Sequence, residues 1–299
     1  MSVSLRSLAV CALAAAAMMA VPAQAFVYHG YHIMPTAKYM AKLRKTGHVP
    51  PPADTVNYYG GSVFSAVKVV NVIWGPNVNP TTVSTVSGLG AALPNSTYLD
   101  QGSAEYSTKG VKAINGHKST NQTIVRGTFL GQTQITPKNQ STDLTDEDVQ
   151  KELKYQIKKG HLPARDLNTL YMIYFPTTVS ITLDGLVSCQ DFGAYHFAVN
   201  DTKLSKKNLF YAVEPDCQSG IGFITFAASH EFMEATTDNV PTPGSFPDFP
   251  QAWNDSQGFE VADLCGTSGT LTAGSASFEV TQYFLNSTHA CSKGNYTSP

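Results

Sequence analysis

Between Phe223 and Thr237 the chain is almost wholly apolar, yet it carries a histidine and two glutamates at positions 230, 231 and 234. No other stretch constrains the fold as strongly. Phe223, Ile224, Phe226, Ala227, Ala228, Phe232 and Ala235 leave a helix over this span little polar face, so it is expected to be buried. A histidine and two carboxylates are costly there unless paired, protonated or bound to a metal. His230 and Glu234, four residues apart, project from the same face of a helix.

That is the spacing by which an H-E-x-x-H helix offers two ligands to one ion, with Glu234 here in place of the second histidine. Glu231 falls where a general base holds and deprotonates an attacking water. The plain alternative is a buried His–Glu pair that ties the helix to a neighbour. A third ligand is offered by Glu260, 26 residues after Glu234, or by Asp263, three further on. In one large class of zinc peptidases a downstream helix supplies a glutamate ligand, and a nearby aspartate orients the first histidine. The E-x-x-D pair suits both roles, with Glu260 favoured as the ligand. Glu260 and Asp263 also fit an ordinary surface turn.

His196 follows a strand-like segment and is a candidate to polarise a substrate carbonyl or to act as a further ligand. A hydrogen-bonded structural histidine is the commoner case. His29 and His32, three apart, are assigned no role. Rival catalytic sets are absent: the sequence holds no G-x-S-x-G elbow, phosphate loop or dinucleotide fingerprint. Glu231, Glu234 and Glu260 converging without metal would suit glycoside cleavage, but the helical spacing with His230 fits a metal better.

The compartment follows from the start of the chain. Met1 to Arg6, the apolar stretch Leu8–Val21 and Ala23-Gln24-Ala25 read as a secretory signal peptide over 1–25, cleaved before Phe26. About 14 apolar residues fall short of the roughly 20 that span a bilayer, so no membrane anchor is expected. Cys11 leaves with the peptide. Cys189, Cys217, Cys265 and Cys291 then permit three disulfide pairings, of which proximity favours Cys189–Cys217 and Cys265–Cys291. A net charge of −2 gives no footprint for nucleic acid.

Residues 26–56 read as an extended N-terminal arm, either a pro-segment or a surface wrap, and 57–299 as one domain. Val67–Trp74, Thr123–Gln134 (interrupted by Gly127 and Gly131), Leu170–Phe175 and Leu209–Val213 are expected strands. Thr81–Leu93 is a short helix before Pro94. Thr145 caps a second helix that ends at Gly160. Gly266–Ser277 reads as a Gly/Ser/Thr-rich tail before a strand over Phe278–Leu285. The pattern gives an α/β (α+β) fold with a mixed sheet and a buried metal-binding helix, stabilised by disulfides.

Tyr58–Gly61, Val67–Trp74, Cys189 with Gly193-Ala194-Tyr195-His196, the S-H-E-F-M-E-A helix, Ala252-Trp253 and E-V-A-D-L-C together resemble the EXORDIUM-like, phosphate-induced secreted protein family and its bacterial relatives. The resemblance runs from about Tyr58 to Cys291 and is weakest between Gly102 and Arg165. It implies a secreted domain with a zincin-like metal helix, and for plant members an apoplastic role in growth. Asp238-Asn239 stands where relatives often carry Asp-Pro, and Cys189 precedes Gly193 by four residues where plant members place Cys and Gly together.

The leading expectation is a secreted, zincin-like metal-dependent hydrolase, a metalloprotease acting on protein or peptide. Zn²⁺ or another divalent metal would be bound by His230, Glu234 and Glu260 (or Asp263), with Glu231 as base. The alternative is a non-catalytic extracellular protein that binds cell-wall or envelope material. Geometry discriminates: a cleft open to solvent over His230 favours the enzyme, and burial of His230, Glu231, Glu234 and Glu260 favours a structural cluster.

Overall fold

The computed structural model describes residues 26–28, 31–46, 55–199, 208–241 and 247–299. The expected signal peptide and Cys11 lie outside the described residues. Seven strands form the main sheet: β1 (Phe26–Tyr28), β2 (Tyr31–Pro35), β3 (Ala66–Trp74), β4 (Val125–Ile135), β5 (Thr169–Phe175), β6 (Phe192–Val199) and β7 (Leu209–Pro215). Their order is β1-β2-β6-β7-β5-β3-β4. The four strands from β7 to β4 run parallel, and β1, β2 and β6 add antiparallel pairs at the other side. This is the expected mixed α/β sheet.

Strands β5 and β7 are buried throughout and β3 nearly so, because helices cover both sheet faces. On one face lie α2 (Pro80–Ala92), α3 (Thr97–Tyr106) and α5 (Ile221–Thr237), packed on alternate residues such as Val69, Met172 and Ala212. On the other face α1 (Ala37–Lys45) and α4 (Asp146–Lys158) meet Val72, Ile173 and Val213. Thr145 caps α4 through a reciprocal pair with Asp148. In β4 the expected glycine interruptions coincide with register shifts against β3, and Gly131 takes a positive φ of 115°.

Two expectations change. Within the predicted arm, β2 joins the sheet beside β6, and Thr36 caps α1, whose Tyr39 and Leu43 bury a face at i, i+4 spacing. The Gly/Ser/Thr-rich tail contains a hairpin, Ser268–Ala273 with Ala276–Thr281, turned at Gly274. Its second strand packs on α5, where Thr281 N–H donates to Ser229 Oγ at 2.8 Å. Disulfides join Cys189 to Cys217 and Cys265 to Cys291, as proximity predicts, and such bonds fit an oxidising extracellular environment. Among the described residues no helix is long and apolar enough to cross a membrane.

Candidate metal centre

From Ala227 to Thr237 every residue of α5 is buried, because the sheet lies on one side and the hairpin on the other. Its end is fixed by Asp238 N–H, which donates to Glu234 O at 2.6 Å. His230, Glu231 and Glu234 therefore project from the enclosed part of the helix. His196 arrives from β6. Glu260 and Asp263 arrive on a tight turn over 260–264 rather than on the expected helix. The Cys265–Cys291 bridge anchors that turn.

The structure brings all six sequence-nominated residues together, and none is more than 2% exposed. His230 Nε2 lies 3.0 Å from Glu234 Oε1 and 3.1 Å from Asp263 Oδ1. None of these three atoms has a hydrogen-bond partner, so the distances are short but the alignment is wrong. Tetrahedral coordination with bonds near 2.0–2.1 Å puts ligand atoms about 3.3 Å apart, and these two separations suit a shared cation. The carboxyls of Glu234 and Asp263 also interact directly. Burial and Asp263 push Glu234 well above the usual carboxylate range. For Asp263 burial acts upward, but His230 and Glu234 outweigh it and hold the group low. The two carboxyls therefore titrate as a pair.

Asp263, and not Glu260, is the acid that faces His230 Nε2, for a backbone reason. The Glu260 N–H donates to Asp263 Oδ2 at 2.7 Å, which turns Oδ1 toward His230. Glu260 points elsewhere, its Oε2 2.8 Å from His32 Nδ1 and its Oε1 3.7 Å from His196 Nε2. Burial raises its pKa well above the usual range, with His196 opposing.

His196 is neither an open ligand nor free to polarise a substrate. Its Nε2 lies 3.0 Å from the Asp238 carbonyl and its Nδ1 3.1 Å from Glu231 Oε2. The Asp238 carbonyl only accepts, so Nε2 carries a hydrogen and Nδ1 is left to Glu231. Burial pushes the ring's pKa down, but Glu260 and Glu231 outweigh that and raise it. His196 thereby positions Glu231, whose Oε1 has no partner. Asn254 Nδ2 in turn donates to Asp238 Oδ2 at 2.7 Å.

Two residues escaped the sequence reading. His32, 3% exposed on β2, completes the cluster; burial lowers its pKa despite nearby carboxylates. The only signal was the alternation of His32 and Met34 about Ile33, too short to decide a strand. Glu214 on β7 is buried with neither oxygen partnered, and burial and the charge of Glu231 raise it strongly. A carboxylate ending an apolar strand was its visible signal.

Unpartnered carboxylates inside a protein each cost several kcal/mol, whereas a cation among them is a source of folding free energy. These buried groups therefore fit a divalent metal. No family model, curated protein or solved structure matches the chain.

Proposed function

We propose that this chain is an extracellular metalloprotein whose buried divalent cation, held by His230, Glu234 and Asp263, locks α5 to the 260–264 turn in a non-catalytic domain. The observation that carries this reading is convergence with burial: three unpartnered donor atoms meet where no solvent reaches them. The discriminator set by the sequence falls on this side, since His230, Glu231, Glu234 and Glu260 are all at most 1% exposed. The EXORDIUM-like resemblance supports the same role, an extracellular protein whose outer surface meets cell-wall or envelope material. A site of two carboxylates and one imidazole accepts zinc and also harder divalent metals.

A second reading, a secreted zincin-like hydrolase of peptides, is favoured by one observation. Glu231 directly follows the first ligand, is held by His196, and keeps Oε1 unpartnered. In that reading the metal supplies Lewis-acid polarisation of the substrate carbonyl. Glu231 accepts the proton of the attacking water and returns it to the leaving amine, while His196 keeps the carboxylate in place.

Metal analysis of the mature chain from Phe26, with His230→Ala and Glu231→Gln variants, separates the readings. The structural reading expects stoichiometric metal, a large loss of thermal stability on chelation, no peptidase activity in the wild type, and a Glu231→Gln protein that still binds metal. A wild-type peptidase activity that Glu231→Gln abolishes would replace it with the hydrolase. Protein made with metal supplied and found metal-free would sink both.

A further inference from the structure

We infer that the cluster is a two-cation centre: His32 and Glu260 supply a second divalent-cation site beside His230 and Glu234, and Asp263 is shared between them. The inference deepens the metal-centre reading above and rests on it. One ligand atom each from His32, Glu260 and Asp263 lie within 4.8 Å of one another, and so do ligand atoms of His196, Glu234 and Glu260. The two halves of the cluster are therefore contiguous.

The donors of the second site are as unsatisfied as those of the first. His32 Nδ1 faces Glu260 Oε2 at 2.8 Å without hydrogen-bond alignment, and neither Glu260 oxygen has a partner. The other ring nitrogen of His32 lies 3.1 Å from Gln251 Nε2, and Gln251 Oε1 is itself unpartnered. Turning the amide over by half a turn satisfies that oxygen: it then accepts Nε2–H and leaves the Nδ1 lone pair aimed at Glu260. An outer hydrogen bond of this kind is how metal-binding histidines are oriented.

Charge supplies an independent argument. Glu231, Glu234, Glu260 and Asp263 each keep an unpartnered oxygen, and among the described residues no lysine or arginine is buried. Even with His196 protonated, one dication leaves the four carboxylates with net negative charge in a dry interior, and a second cation removes it. Ions of two-metal sites lie about 3.5–4 Å apart, close enough for one carboxylate to reach both.

The test is the metal content of the mature chain saturated with Mn²⁺ and freed of loose ion, with electron paramagnetic resonance of the same sample. Two equivalents and an exchange-coupled multiline spectrum are expected. His32→Gln and Glu260→Gln are each expected to hold one equivalent with a six-line single-ion spectrum. One equivalent in the wild type removes the second site and leaves the single centre standing. Two equivalents retained in His32→Gln also overturn it. No bound metal at all overturns this inference together with the reading beneath it. Should either variant fail to fold, the wild-type stoichiometry and spectrum decide.

Discussion

The backbone N–H of Glu260 donates to Asp263 Oδ2 at 2.7 Å, and Asp263 Oδ1 in consequence faces His230 Nε2 at 3.1 Å. One main-chain bond thus selects which acid of the E-x-x-D pair faces His230, and so which one the proposed metal site would use. Asp263→Ala should weaken that site by at least about 100-fold, because a ligand is worth more than the 10–100-fold of an outer contact. His196→Phe, which removes the support of Glu231 and the bond to the Asp238 carbonyl, should weaken it about 10-fold or less. Competition with a chromophoric chelator measures both.

Stability of the metal-free chain should fall as pH rises from about 5 to 8. Glu234 and Glu260 have folded pKa values raised well above their ordinary 4.5. The folded state therefore holds protons that the unfolded state has lost, and stability declines from the ordinary value upward. His196, also raised, loses its contribution in the same direction above its ordinary 6.5. His32, lowered, acts oppositely below 6.5, and Asp263, lowered, acts only near and below pH 4. Metal removes the carboxylate protons, so the gain in melting temperature on loading should grow with pH. Melting curves with and without chelator across this range check it, and a flat metal-free profile would contradict it.

The two disulfides should separate in their effects. Their cysteines are 28 and 26 residues apart, so loop entropy assigns each a similar stabilisation of roughly 3–4 kcal/mol. Only Cys265–Cys291 borders the turn that carries Asp263. Replacing both of its cysteines by alanine should lower metal affinity as well as stability. The Cys189/Cys217 double variant should lower stability with little change in affinity.

Gly61 is the glycine whose replacement should reach the centre. Its N–H donates to Gln251 O at 2.9 Å, and a methyl there would overlap the Pro250 and Gln251 backbone. Gly61→Ala should cost about 1–3 kcal/mol and disturb the Gln251–His32 contact. Gly102→Ala meets the Met233 thioether at 2.9 Å instead. That side chain is flexible, so the cost should stay below about 1 kcal/mol. Chemical denaturation of both variants provides the comparison.

Local signals in the sequence reached as far as local physics allows. The apolar run of β5, the Thr145 cap and the burial of α5 follow from residues close together in the chain, and the structure contains all three. The i, i+4 pair of His230 and Glu234 was legible for the same reason. Asp263 as the acid beside His230 was not, because the 260–264 turn is held by its own backbone bond and by a distant cysteine. His32 was hidden more deeply. Nothing near it announces a metal, and its partner Glu260 meets it only through the pairing of β2 with β6.

That pairing also ties the cluster to both ends of the described chain. It draws on His32 near one end and Asp263 near the other, through contacts of very long sequence separation. Contacts that close so much chain carry a high entropic cost, so the cluster is a part of the core that depends on distant segments being in place together.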